Sequence, residues 1–429
     1  MSKFKVDLRG LLHLRDLSSG YFVITIIKNA LPLLILPILT RYLNPEEYGN
    51  VALFTFYFLI FNSLAGISIP TVISKYFYKL EKKNLSEIIG NSILISGVIS
   101  LFLVFIVFVF YSSIEIFVYI PKMWLLLIPI TSFAFILFSV GLNVMRNSKK
   151  VFDFGVYQVG NIAINIVLSI LFVVVFNFNW QGRILAIVLS FIISSIAIFY
   201  YLRKNGYLVF NFSSIITRKV LKVMVPLVPN SLQAVVISQI GIFFIQYYYT
   251  KELLGIYSIG FQLAFAVKIL GDTLNLSWSP YLFEQISNDK ILNKLYITRM
   301  IYLLIAIVFV GLVFVNLFSE SILRLLTTPK YYGSAEFIPW FSIGFLFQSL
   351  YIFLFPILIR YEKQNYISIV TFCGMFVMII LNILLSNAFG YIGISYSFAI
   401  TYLLIFIAMF WKVQGTMPLP WLRALKIWQ

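Results

Sequence analysis

Twelve apolar stretches, each about as long as a helix must be to cross the ~30 Å hydrocarbon core of a bilayer, fill most of this 429-residue chain. The few charged residues fall almost entirely in the short gaps between them. The stretches lie at about 19–40, 48–69, 88–111, 123–142, 153–176, 183–202, 223–249, 254–278, 296–318, 338–359, 366–387 and 391–411. None alternates apolar and polar residues as a barrel strand does. Helices, which close their backbone hydrogen bonds within the segment, are therefore the expected spanning element. The chain reads as an all-α integral membrane protein.

Basic residues set the orientation. Of the 32 Lys and Arg, 24 fall before the first stretch, at 75–83, 146–150, 203–222, 290–299 and 360–363, and after 411. Six fall on the opposite side: Arg41, Lys122, Arg183, Lys251, Arg324 and Lys330. That bias places both termini of this multi-pass protein in the cytoplasm. The formal charge of +17 is then mostly topological, and no basic patch is large enough for a nucleic-acid partner.

Several function classes drop out. Non-spanning intervals reach only about 20 residues, too few for a soluble domain with its own core. No glycine-rich run ends in Lys-Ser or Lys-Thr, so the chain alone does not hydrolyse ATP. The single His13 sits in a polar arm and the single Cys373 inside an apolar stretch, which supports neither a metal site nor a nucleophile. The first apolar stretch is too long for a cleavable signal and is interrupted by Lys28, Pro32 and Pro37. Residues 1–17 read as a cytoplasmic amphipathic arm, with Phe4, Leu8, Leu11 and Leu12 at helical spacing. Residues 412–429 read as an interfacial tail carrying Trp421, Leu425 and Trp428.

A basic linker at 206–222 separates two groups of six stretches, giving an N-lobe over 18–205 and a C-lobe over 223–411. The first two stretches of each group share their punctuation. Pro32 and Pro37, then Tyr48-Gly49, then Pro70 in one half answer to Pro226 and Pro229, then Gly255 and Tyr257, then Pro280 in the other. Parallel repeats of this kind are a transporter architecture. Prolines within a span free a backbone carbonyl and bend the helix, which makes Pro32, Pro37, Pro226 and Pro229 candidate bending points for alternating access.

Only Lys28, Lys268 and Asp272 are ionisable and well inside stretches. A charge at mid-membrane costs at least ~2.5–3.5 kcal/mol on insertion scales, so it faces a polar cavity or a partner. Lys28 and Lys268 each lie about 15 Å from the cytoplasmic end of their helices at 1.5 Å per residue, and the two form a candidate anion site. Asp272 is one turn from Lys268, so a structural pair is the alternative for both. Thr25, Asn29, Asn62, Ser63, Gln233, Gln239, Gln262 and Asn275 could line a hydrated path or bond across helices.

The run Leu39-Thr40-Arg41-Tyr42-Leu43-Asn44-Pro45-Glu46-Glu47-Tyr48-Gly49 resembles the opening signature of Wzx-type polysaccharide flippases. The run Leu254-Gly255-Ile256-Tyr257-Ser258-Ile259, followed by Trp278-Ser279-Pro280, is similar to their helix seven to eight region. Local physics accounts for the first run on its own: Asn44 is a good N-cap, Pro45 suits the first helical position, and Glu46 and Glu47 complement the helix dipole.

The resemblance implies the superfamily that includes MATE-type multidrug exporters and the lipid II flippase. Its fold has twelve transmembrane helices in two six-helix lobes facing each other in a V, with helices one, two, seven and eight lining the cavity. It also implies a place, the bacterial inner (cytoplasmic) membrane, and a substrate, undecaprenyl-pyrophosphate-linked oligosaccharide, turned there from the cytoplasmic to the outer leaflet. Lys28 and Lys268 would meet the pyrophosphate. No cofactor is expected; a proton or sodium ion is the candidate drive, with Asp272 its candidate coupling residue. A polysaccharide polymerase and a chain-length regulator are candidate partners. Where similar proteins often carry an acidic-basic pair in helix seven, this chain has Ser238-Gln239-Ile240-Gly241. The competing readings are a cation-coupled drug exporter of the same fold, poorly matched by two cavity lysines, and a membrane-embedded polymerase or glycosyltransferase, for which Glu46-Glu47 is the only tempting acidic pair.

Overall fold

A computed structural model describes residues 24, 27–28, 34–287 and 294–425. The arm at 1–17 with His13, most of the first apolar stretch with Thr25, Asn29 and Pro32, and Trp428 of the tail lie outside the described residues. Regular structure among the described residues is helical throughout. Eleven helices there are long and apolar enough to cross a membrane, and they coincide with the second to twelfth stretches of the sequence.

In chain order the helices are α1 Leu36–Tyr42, α2 Pro45–Ala65, α3 Ile69–Phe77, α4 Lys82–Val118, α5 Lys122–Asn147, α6 Val151–Ser169, α7 Asn179–Lys204, α8 Ser214–Met224 and α9 Val228–Tyr248. There follow α10 Lys251–Ser287, α11 Lys294–Leu317, α12 Ser319–Leu326, α13 Ile338–Arg360, α14 Gln364–Phe389, α15 Ile392–Thr416 and α16 Trp421–Leu425. They form two compact units. One holds Met1–Leu43 and Leu53–Leu232, the other Asn44–Ala52 and Gln233–Gln429, so the first turns of α2 pack with the second unit.

In the first unit, residues of α3, α4, α5, α7 and α8 share one core that includes Ile69, Val72, Ile89, Val140, Val144, Ile198, Leu202, Val220 and Met224. Along α4, Val98, Leu101, Phe102, Phe105 and Phe108 are exposed, the face such a helix turns to lipid. On its other side Ser92, Ser96 and Ser100 are buried, small residues that let neighbouring helices come close. The segment after α7 is held down rather than loose. Asn91 donates to Asn211 O (2.8 Å) and accepts from Ser213 N (3.2 Å) and Thr217 Oγ1 (3.3 Å). A Cβ on the adjacent Gly90 would overlap the Val209 carbonyl oxygen, so the close approach needs glycine.

The second unit is built around aromatic rings. Tyr257 and Phe261 of α10, Phe341 and Phe345 of α13 and Phe398 of α15 meet mostly edge to face, with centroids 4.9 Å apart for Tyr257–Phe341, 5.1 Å for Phe261–Phe341 and 5.1 Å for Phe345–Phe398. Trp421 of α16 docks here as well: its Nε1 donates to Gln414 Oε1 at 3.0 Å, and its ring lies 5.6 Å from that of Tyr302.

The starts of α2 and α10 carry the sequence repeat into three dimensions. Asn44 Oδ1 accepts from Glu47 N (2.8 Å) while Asn44 N donates to Glu47 Oε2 (2.9 Å), a reciprocal capping box. Thr250 Oγ1 accepts from Leu253 N at 3.2 Å, the same cap without its carboxylate arm. A Cβ at Gly49 would overlap the Lys251 carbonyl oxygen, and one at Gly255 would overlap the Pro45 carbonyl oxygen. Asn44 and Thr250, Pro45 and Lys251, and Gly49 and Gly255 are all separated by the same 206 positions. When residue i meets the repeat equivalent of j and j meets that of i, a local two-fold axis relates the two helix starts.

Candidate functional site

The helices of the first unit surround a cavity of about 540 Å³. Its most ordered wall comes from α6, where Phe154, Gln158, Asn161 and Asn165 recur at the spacing that places them along one helix face. At 1.5 Å per residue that row is about 16 Å long. Asn161 Nδ2 donates across to α7, to Ser190 O (3.1 Å) and Ser194 Oγ (2.9 Å), and Asn165 Nδ2 donates to Ser190 Oγ (3.1 Å). Phe58, Phe135 and Phe191 supply an apolar wall, with Phe58 and Phe191 stacked at 5.7 Å.

Three cations face this space: Lys28, Arg146 and Arg183. No Asp or Glu is among its described lining residues. Arg183, near the start of α7, donates through Nη1 to Asn165 Oδ1 (2.7 Å) and Ser169 Oγ (2.5 Å). The backbone that brings it there is unusual. After Ser169 the helix widens into π-helical turns over Ile170–Val175, and such turns are frequent at functional sites. Asn177 and Asn179 then take positive φ, +54° and +50°, in the turn to α7. At the far end of the row, the Asn143 amide with its oxygen toward α5's last turn lies 2.9 Å from Arg146 Nη2 and 3.0 Å from Ser74 Oγ. Three cations lining one space, with no carboxylate among its described lining residues, suit a multivalent anion.

Of the residues singled out from sequence, Lys28 is exposed and lines this cavity. Lys268 and Asp272, in the second unit, are joined in a salt bridge one turn apart on α10, with the Lys268 ammonium 5.4 Å from the Phe265 ring centre. Asn62 is fully buried, and neither of its amide atoms has a hydrogen-bond partner among the described residues. Gln233 is buried and Gln239 half-buried, both on α9. Gln262 accepts from Tyr48 Oη (2.8 Å), and Asn275 accepts from Ser279 Oγ (3.1 Å), each serving as a link within the second unit. Pro37 sits in the first turn of α1, where the missing N–H costs nothing. Pro226 lies in a single 3₁₀ turn, Val225–Leu227, that interrupts the helix between α8 and α9, and Pro229 follows in the first turn of α9.

Sequence reasoning missed Arg146, Arg183, Gln158, Asn161 and Asn165. Both arginines were counted as topological charges at span ends, yet their side chains turn back into the cavity. A signal was present: three carboxamides at i, i+3 and i+7 within an otherwise apolar stretch form a polar stripe. Among the described residues, no group of His, Cys, Asp and Glu is arranged to hold a metal ion.

Comparison with known proteins agrees with this architecture. The lipid II flippase MurJ, in an inward closed conformation, superposes with a TM-score of 0.74 at 17% identity, over 96% of this chain and 89% of that one. An inward-facing MATE multidrug resistance transporter of the MOP superfamily superposes with a TM-score of 0.71 at 14% identity, over 93% and 98%. At these identities the likeness establishes the fold. In sequence, a protein of the Lsg locus of Haemophilus influenzae is 23% identical over 354 residues, 81% of this chain and 85% of its own length. The family model for polysaccharide biosynthesis proteins matches residues 18–286, well over half of the chain. This multi-pass inner-membrane protein, with the fold of MOP-superfamily transporters, therefore belongs to the polysaccharide biosynthesis protein family.

Proposed function

We propose that the protein is a flippase. It carries an undecaprenyl-pyrophosphate-linked oligosaccharide, the repeat unit of an O-antigen or related surface polysaccharide, from the cytoplasmic to the outer leaflet by alternating access. The observation that carries this reading is a cavity lined by Lys28, Arg146 and Arg183 with no carboxylate among its described lining residues, within a transporter fold of this family. A pyrophosphate brings negative charge to a space lined by cations. Its arrival lowers the cost of enclosing them away from water. A drug exporter that selects cations would gain nothing from that charge.

Transport of this kind needs no covalent step, and the described residues of the cavity lining include no Asp, Glu, His or Cys to serve as acid, base or nucleophile. The coupling element we assign is the Lys268–Asp272 pair. Protonation of Asp272 would release Lys268 to meet an anion, and the loss of that proton would restore the pair. A polymerase and chain-length regulator would act on the product on the far side of the membrane.

The test uses a strain lacking the gene, complemented with wild type or Lys28→Ala at matched protein levels. Undecaprenyl-linked repeat units should accumulate inside without the gene, clear with wild type and persist with the variant. Repeat units reaching the outer leaflet unpolymerised without the protein would move the function to polymerisation. Full export with Lys28→Ala would end the anion-site assignment.

A further inference from the structure

The row on α6 does more than line a cavity that holds an anion. We infer that Gln158 and Asn161 form a saccharide-reading edge, a subsite for a pyranose ring, and that Gln158 is its specificity-determining residue. The inference rests on the flippase reading and adds to it the place where sugar is recognised.

Gln158 is only 8% exposed, lines the cavity, and makes no hydrogen bond to any described residue. Its neighbours differ. Asn165 is spent on both sides, on Arg183 and on Ser190. Asn161 commits its Nδ2 to Ser190 and Ser194, while its Oδ1 accepts from no described residue. Within one helical turn the row thus presents one open donor, Gln158 Nε2, and two open acceptors, Gln158 Oε1 and Asn161 Oδ1. Buried carboxamides are normally paired, so one with no bond and one with its oxygen unspent, side by side on a cavity wall, suit a hydrogen-bonding ligand.

The partner's chemistry follows from that pattern. A hydroxyl both donates and accepts, and two adjacent ring hydroxyls offer the complement of a side-by-side donor and acceptor followed by an acceptor. The apolar faces of Phe154, Phe135 and Phe191 suit the C–H face of a sugar ring, as an amphipathic ligand requires. Position agrees as well. Gln158 lies about 10 Å along α6 from its start at 1.5 Å per residue, and that start follows Arg146 by a short turn. A ring bound there sits within the reach of an oligosaccharide whose pyrophosphate is held by Lys28 and Arg146.

The test measures binding to the full-length protein in nanodiscs with two probes: undecaprenyl pyrophosphate alone, and the same lipid carrying the cell's own repeat unit, extracted from a polymerase-deficient strain. Wild type should bind the sugar-bearing lipid at least about tenfold more tightly. Gln158→Leu should bind the bare lipid as wild type does and lose that tenfold preference; Gln158→Asn, which keeps the amide on a shorter stem, should recover part of it. Asn161→Ala, which also removes a link to α7, serves as a second variant, and bare-lipid binding reports its folding. Equal binding of the two lipids by wild type, or an unchanged preference in Gln158→Leu, would overturn the subsite while leaving the flippase reading standing. Binding of neither lipid by wild type would overturn both.

Discussion

On α6 of the first unit, Gln158, Asn161 and Asn165 border an open, cationic cavity; on α14, which holds the same place in the order of the second unit, the buried residues include Gly374, Met378 and Asn382. Both helices use an asparagine to bond the next helix. Asn161 reaches Ser190 and Ser194, and Asn382 Oδ1 accepts from Ser397 Oγ at 2.8 Å. One turn before that asparagine the two diverge. The first unit has Gln158 with its amide open, and the second has Met378, whose sulfur accepts from Thr401 Oγ1 at 3.3 Å. The cations diverge in the same sense: Lys28 shares its cavity with Arg146 and Arg183, whereas Lys268 has its own carboxylate. A duplicated scaffold thus keeps its helix-to-helix bonds in both copies and leaves polar capacity unspent in one, and the unspent capacity is where a ligand can be bound.

The largest effect expected from this contrast is on transport. Lys28→Ala should lower export of lipid-linked repeat units about 10- to 100-fold at matched protein levels, the loss of one charge-assisted contact of about 1.5–3 kcal/mol. The corresponding cation of the second unit should behave differently. Replacing Lys268 and Asp272 together by Met and Leu should leave the protein folded and expose any coupling role as a changed dependence of export on external pH. Greater loss of export from the double variant than from Lys28→Ala would reverse the assignment of roles to the two units.

Much of the fold was legible in the sequence because a bilayer imposes a length and a composition on every span, and both can be read locally. The start of α2 was legible for a similar reason: a capping box is a four-residue event, and Asn44, Pro45 and Glu47 all belong to it. The Lys268–Asp272 bridge was foreseeable from i, i+4 spacing alone. The cavity was not. Arg183 counted as a boundary charge until the π-helical turns and the turn to α7 set it against Asn165, and that geometry depends on how two helices meet. Whether a carboxamide such as Gln158 is satisfied is likewise decided by residues distant in sequence, so composition marks the stripe without showing which member is open.

The repeat itself can be strained at its point of closest packing. Gly49→Ala and Gly255→Ala each push a methyl group into the opposite helix's carbonyl oxygen, and each should cost about 1–3 kcal/mol, seen as a lower melting temperature in detergent. Because the contact is reciprocal, one small separation of the two helices relieves both overlaps. The double variant should therefore cost clearly less than the sum of the singles. Strict additivity would mean that the two glycines pack independently, and the local two-fold would then be geometric without being energetic.

The smallest predicted effect separates the two caps. Asn44→Ala removes the acceptor of Glu47 N and leaves the Glu47 carboxylate without the frame that aims it at Asn44 N, so both arms of the box weaken together. Thr250→Ala removes one bond only, to Leu253 N, because the residue in the position of Glu47 is Leu253, which has no side chain able to return the contact. The first substitution should cost about 1 kcal/mol and the second roughly half of that, measured as melting temperatures of the two variants side by side. Glu47→Gln sharpens the comparison, since it keeps a reaching oxygen but removes the charge that favours the helix N-terminus. Should Asn44→Ala and Thr250→Ala cost the same, the carboxylate arm would contribute nothing, and the acidic pair in the sequence signature would need a role other than starting the helix.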